Sequence, residues 1–308
     1  KQAGCVDIAS QLIDFPYGDG IEVAMGGGRL KFLPTDSEDP EGASMKDGRM
    51  DGRNLAEEWV AKYPDSAYVW NQAQFAAIDP TSTDHLLGLF NNEHMQYEAD
   101  RAEDVGGEPS LAEMTRLAIQ VLSRNPNGYF LLVEGGRIDH GHHDSNAYRA
   151  LTDGIAFADA VQVAAGMTDP SDTLIIVTAD HSHTMTIGGY PTRGNPILGK
   201  VISNDAKGQP NTSYELVDDG KPYTTLGYQS GPGGVWVGGE RPDLSDVDTV
   251  GDKNFLQHSG LPSEDETHGG EDVAVYARGP GADGIHGVME QNQIFHVINA
   301  AARLSPPD

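Results

Sequence analysis

Cysteine is nearly absent: 308 residues carry one, Cys5. No disulfide can form within the chain, and a lone thiol cannot build a cysteine metal site. Cationic side chains are scarce too. Twenty lysines and arginines face 47 aspartates and glutamates, a formal net charge of −27. That imbalance disfavours nucleic acid, whose binding rests on Lys and Arg neutralising phosphates. It also disfavours docking on an anionic membrane surface. No apolar run reaches the roughly 18–20 residues that span a bilayer. The opening KQAGCVDIAS has none of the stretches of a signal peptide and reads as mid-domain sequence. Disorder is opposed by the 38% hydrophobic residues. The surplus acid then reads as solvated surface, which a halophilic or marine source would fit. The length allows a sizeable core in one or two domains.

What is present is periodic. NLAEEWVAKY over 54–63 suits a short amphipathic helix. Ser110 and Glu113 form an S-x-x-E capping box, and Leu111, Met114, Leu117, Ala118, Val121 and Leu122 follow at helical spacing. Asn125-Pro126-Asn127-Gly128 is a turn. It leads into Tyr129–Glu134, an apolar run that fits a buried strand. Residues 146–165 look helical, with Leu151, Ile155, Ala158 and Val161 on one face. TLIIVT over 173–178 and DVAVYA over 272–277 read as further buried strands. A last helix covers roughly 289–303, with Ile294, Val297, Ile298 and Ala301 inward. Strand, helix, strand implies a βαβ unit and an α/β fold with a mostly parallel central sheet flanked by helices. Residues 184–267 are rich in Gly, Pro, Asp and Ser, with short pieces such as Gly234–Val237. They read as an irregular insertion, set apart from a core of 1–183 and 268–308.

The chemistry gathers around histidine. His140, His142, His143, His181 and His183 all follow one of two apolar runs, in EGGRIDHGHH and TADHSH, and ETHGGED precedes the third. In open parallel sheets, ligands bind outside the carboxyl ends of the strands. Aspartate with imidazole and no thiolate is the donor set of catalytic zinc or a comparable divalent ion. Asp139 and His143, four apart, share one face of a helical turn. Asp180 and His181 suit an irregular loop, so there is material for two nearby ions. Glu134 offers only oxygen and suits a harder ion such as Mg²⁺. Alone, an Asp-His pair is usually a turn, and H-x-H-H is as readily a surface cluster as a metal site. The two together, each behind an apolar run, favour metal.

VEGGRIDHGHH, TADHSHTMTIGGYP and ETHGGEDVAVYARGP resemble the motifs of alkaline phosphatases, in the form shared by animal and some bacterial enzymes. The resemblance extends along almost the whole chain, through GCVDIASQLI, MGGGR, MDGRNLAEEW, GLFNNEHMQYE and HGVMEQNQIFHVI. It implies a first zinc on Asp139, His143 and His268, a second zinc on Asp180 and His181, and magnesium on Glu134. It places His140 near bound phosphate and gives His142 and His183 no ligand role. A further calcium-like site would fall on Glu41, the Phe90 carbonyl, Asn91 and Glu108. The family has Glu in place of Asn91 and Asp in place of Glu108.

The resemblance also implies machinery without a match here: a nucleophilic serine in a D-S-A motif, a G-D-G aspartate and a phosphate-clamping arginine. Gly18-Asp19-Gly20 and Asp65-Ser66-Ala67 mimic two of these in unsuitable contexts, Ser66 in a turn before Tyr68-Val69-Trp70. The chain therefore reads as the C-terminal portion of such an enzyme, with the nucleophile on an N-terminal segment. Cys5 would pair with that segment or be an unpaired buried thiol. The implied activity is phosphomonoester hydrolysis at alkaline pH through a phosphoserine. The implied setting is periplasmic or secreted, as a homodimer with 184–267 as its surface crown. The alternatives are a related phosphodiesterase or sulfatase, and a non-catalytic metal- or phosphate-binding protein.

Overall fold

Ser110 and Glu113 close as a reciprocal capping box: each side chain accepts from the other's backbone N–H, at 3.2 and 2.8 Å. This satisfies two of the N–H groups that a helix start leaves without partners. The computed structural model describes residues 5–234 and 239–304. Its elements begin with α1 (Ile8–Ile13), β1 (Val23–Gly26), α2 (Leu55–Lys62), β2 (Ser66–Val69), α3 (Gln72–Ala76), β3 (His85–Leu89) and α4 (Leu111–Leu122). Next come α5 (Arg137–His143), α6 (Ala147–Met167), β4 (Ile175–Thr178), β5 (Ser182–His183) and β6 (Met185–Ile187). The last are β7 (Leu226–Gly231), β8 (Ser259–Pro262), β9 (His268–Gly269), β10 (Val275–Arg278) and α7 (Gln293–Ala302).

The chain divides into two compact units, 1–134 with 156–167, and 135–155 with 168–308. This grouping cuts across the sequence-level division at 183/184 and 267/268. The first unit is built on a wholly parallel sheet of order β1-β3-β2. Central β3 is buried at all five positions. Alternation sends Leu87 and Leu89 to one face, against Ile13, Leu55 and Trp59 from α1 and α2. Leu86 and Phe90 go to the other, against Phe75, Met114, Leu117 and Val121 from α3 and α4. Apolar cover on both faces is why HLLGLF runs without polar interruption. The fold class is α/β, as expected. The sheet's own strands VAMG and HLLGL, however, are too short and Gly-interrupted to have stood out in the sequence.

Several strand expectations are corrected. Tyr129–Glu134 is not a strand, and Phe130 and Leu132 are 68% and 77% exposed. An apolar run encodes a demand for burial, not the neighbour that meets it; here no strand among the described residues pairs with it. TLIIVT and DVAVYA do yield β4 and β10, but they pair antiparallel as a two-stranded ribbon, half-buried, with Tyr276 68% exposed. The expected βαβ unit is therefore absent from this stretch. α6 forms as expected behind its Asn146 cap, yet Ile155 and Ala158 on its expected inner face are exposed. Residues 184–267 are less irregular than their composition suggests, since β6 and β7 join β8 in a three-stranded sheet. Val235–Val237 lie outside the described residues. Ser66 heads β2 instead of sitting in a turn. Its hydroxyl lies 3.4 Å from the Val60 carbonyl. Cys5 is exposed, not buried.

Two substitutions test this construction. Leu87→Ala, at a fully buried position, should cost about 2–5 kcal/mol by the cavity it leaves. Ser110→Ala should cost about 1 kcal/mol through the lost cap. Urea unfolding checks both; a smaller loss for Leu87→Ala than for Ser110→Ala would contradict the layered core.

Candidate metal centre

The side chains that converge here all belong to the second unit. β5 and β9 pair antiparallel with His183 opposite His268. Directly opposed residues put their side chains on one face, so a two-residue ladder brings together imidazoles 85 positions apart in the chain. His181 precedes β5 and stacks on His268, with ring centroids 3.6 Å apart. Asp139 and His143 lie one turn apart on α5, with His143 Nε2 3.3 Å from Asp139 Oδ1. α5 can sit close to α6 because residue 141 is glycine: a Cβ there would lie 2.7 Å from the Ala150 backbone nitrogen. Ser145, at φ +53°, turns the chain between the two helices. Its hydroxyl lies 3.1 Å from that of Ser259, and its carbonyl accepts from the Gln257 N–H.

The convergence point is one oxygen. Asp139 Oδ1 lies 2.9 Å from His183 Nε2, 3.3 Å from His143 Nε2, 3.5 Å from His268 Nε2 and 3.8 Å from His181 Nε2. His143 Nε2 and His268 Nε2 are 3.1 Å apart. Asp139 Oδ1 and His183 Nε2 are both buried, and beyond their mutual 2.9 Å approach neither has a hydrogen-bond partner. A buried carboxylate oxygen left unpaired is costly, and a cation held by the imidazole nitrogens removes that cost. The donor set of one carboxylate with imidazoles and no thiolate fits zinc. Asp139, His181, His183 and His268 offer atoms within one ion's reach. A second grouping of His143, His183 and Glu266 is a hydrogen-bonded scaffold instead, because the ring nitrogens facing Glu266 are already engaged by it.

The structure thus brings together Asp139, His143, His181 and His268, and adds His183, to which the family resemblance assigns no ligand role. Asp180 is not among the converging atoms. Its side chain is 90% exposed, with Oδ2 3.5 Å from His181 Nε2. Glu134 is exposed and closes the 1–134 span of the first unit. His140 Nδ1 lies 2.9 Å from Arg137 Nη1. Arginine only donates, so His140 Nδ1 accepts and the neutral ring carries its proton on Nε2. Glu266, fully buried beneath the cluster, carries no sequence signal beyond its place two residues before His268.

The calcium-like set fits an ion poorly. Glu108 accepts from Asn91 Nδ2 and from the Gln96 N–H, and Glu41 is taken up by Arg29 and the Gly106 N–H. Burial, with Asp104 and Glu41 nearby, pushes the Glu108 carboxyl up. Around the centre, burial and the neighbouring His183 push His142 down to about 4. His142 Nδ1 meets the Tyr228 hydroxyl at 2.9 Å, and burial raises that phenol.

The family model for alkaline phosphatase matches residues 1–304. Curated relatives include the tissue-nonspecific alkaline phosphatases of Felis catus and Gallus gallus. The first is 47% identical over 97% of this chain and the second 44% identical over 99%. The Gadus morhua alkaline phosphatase is 44% identical over 98%. The chain spans 55%, 57% and 61% of the lengths of these three relatives, respectively. The crystal structure of Thermus thermophilus alkaline phosphatase superposes with a TM-score of 0.63 over 97% of this chain and 65% of its own, at 23% identity, which speaks for the fold alone.

Elsewhere in the second unit, burial pushes His258 down to about 4, helped by Arg241. Its ordinary value is about 6.5, so between these two pH values the unfolded chain takes up a proton that the folded ring refuses. Stability should therefore fall as pH drops from about 6.5 towards 4. Urea midpoints of His258→Asn and the parent at pH 7.5 and 5 check this. The variant should lose less on acidification, and an equal loss would refute the assignment. The donor chemistry, the fold and the relatives agree: the chain belongs to the alkaline phosphatase family.

Proposed function

We propose that the protein hydrolyses phosphomonoesters at alkaline pH, through a phosphoserine, at a centre of two zinc ions and one magnesium. The carrying observation is Asp139 Oδ1, buried without a hydrogen-bond partner among four imidazole nitrogens. In this reading Asp139, His143 and His268 hold the first zinc, Asp180 and His181 the second, and Glu134 the magnesium. The serine comes from the part of the family length that this chain does not span. When bound, zinc lowers the pKa of a nearby hydroxyl or water and offsets charge on the departing oxygen.

The chain's own residues prepare that chemistry. The Asp139 carboxylate would balance part of the first zinc's charge. His143 donates its Nδ1 proton to the Glu266 carbonyl at 2.6 Å, which leaves the Nε2 lone pair directed at the centre. His181, stacked on His268, keeps its ring from turning away. The exposed Asp180 carboxylate beside it remains available to a ligand. His140, proton on Nε2, can donate to a phosphate oxygen. Calcium is left out, because protein donors already engage Glu41 and Glu108. The homodimer, the crown role of 184–267 and a periplasmic or secreted location rest on the family resemblance. No helix among the described residues is long and apolar enough to cross a membrane.

An aryl phosphate assay on the protein at full family length tests the proposal. Turnover should vanish with a chelator and return with zinc and magnesium. Asp139→Asn or His268→Ala should lower kcat/KM by about 100-fold or more, at or beyond the upper end of losses typical of outer-sphere partners. Metal-independent turnover, or full activity in either variant, would refute the centre. The net charge of −27 should also repel an anionic ester at long range. With a Debye length of about 10 Å at 0.1 M, kcat/KM should rise from low to moderate salt; a flat or falling profile would leave the acidic surface without a role in capture.

A further inference from the structure

Glu266 makes five hydrogen bonds from a fully buried position. Its N–H donates to the His143 carbonyl at 2.8 Å, and its own carbonyl accepts from His143 Nδ1 at 2.6 Å. Its carboxylate accepts from His183 Nδ1 at 2.6 Å, from the Thr184 N–H at 2.5 Å and from the Thr184 hydroxyl at 2.6 Å. Two residues later the same loop delivers His268 to β9. Thr267 between them is tied to the Ser230 hydroxyl, at 3.0 Å from its own Oγ1 and 3.2 Å from its N–H. One residue therefore links three segments: the end of α5, the β5–β6 stretch and the loop carrying His268. Every partner of its carboxylate is a donor, so the group acts purely as an acceptor. Both histidines consequently keep a proton on Nδ1 and turn Nε2 towards Asp139.

Resting on the zinc reading above, we propose that Glu266 is the positioning residue of the metal centre, acting through His143 and His183 without touching the ion. A mere core carboxylate would stabilise the fold with or without metal; a positioning residue acts on affinity and coordination geometry. Outer partners of metal-holding groups typically contribute about 10–100-fold in affinity. The Glu266 carboxylate acts through His183, whose Nε2 lies 2.9 Å from the zinc-holding Asp139 Oδ1. The backbone carbonyl of residue 266, which no substitution removes, holds His143. Glutamine at 266 can still accept from Thr184 with its amide oxygen. Its NH₂ group would then face the Nδ1 proton of His183, donor against donor, and force the ring to turn or change tautomer.

The test uses the protein at full family length, with zinc as the probe. Competition against a chelator should show zinc bound about 10–100-fold more weakly by Glu266→Gln than by the parent. The visible spectrum of the cobalt-substituted variant should shift, and Glu266→Asp should recover part of both. A Glu266→Gln protein with parental zinc affinity and an unchanged cobalt spectrum would overturn the inference, whatever its thermal stability. Should Glu266→Gln fail to fold, ¹⁵N imidazole shifts of the zinc-loaded parent decide: protons on Nδ1 of both His143 and His183 support the role, and a bare Nδ1 on either contradicts it. If the parent itself binds no zinc, the metal reading fails. If only the variant comparison fails, the metal reading stands and Glu266 is structural.

Discussion

One carboxylate oxygen, Asp139 Oδ1, faces four imidazole nitrogens between 2.9 and 3.8 Å. Groups that offer lone pairs do not gather by mutual attraction. Directed at a common point, they repel unless a cation or proton lies among them. The fold must therefore hold the cluster by forces applied elsewhere. Much of the second unit's local geometry is explained by this requirement.

The holding forces come from backbone pairing and buried hydrogen bonds outside the ring of nitrogens. The β5–β9 register sets His183 against His268. Gly141 lets α5 approach α6, and the left-handed Ser145 turns the chain between them. The 184–267 stretch takes part directly. Tyr228 meets His142, Ser230 ties Thr267, Ser259 meets Ser145, and Gln257 accepts from the Ala147 N–H at the start of α6. Glu266, at the end of that stretch, joins the remaining pieces. A segment whose composition suggests a loose surface insertion is thus the buttress of the centre.

The sequence made legible what depends on local chemistry. The Ser110–Glu113 capping box, the α2, α4 and α6 helices, and the DHGHH, DHSH and ETH clusters are short-range patterns, and they reappear in the structure as hydrogen bonds and converging rings. Burial and pairing were less legible because they depend on distant partners. Tyr129–Glu134 has the composition of a buried strand and finds no strand partner, while HLLGL, broken by Gly88, is the buried centre of the parallel sheet. His183 stands in the legible DHSH pattern, but the family resemblance gives it no ligand role; its place at the centre follows from the β5–β9 pairing. Glu266 has no distinctive spacing and gains its place only when the loop before His268 folds under α5.

The most direct test of the centre is anomalous diffraction at the zinc edge from crystals of the protein at full family length. The expected result is a peak at about 2.0–2.2 Å from Asp139, His143 Nε2 and His268 Nε2, with the Glu266 carboxylate near but not bonded to it. An active, zinc-containing protein whose anomalous peaks all lie away from Asp139 would contradict it.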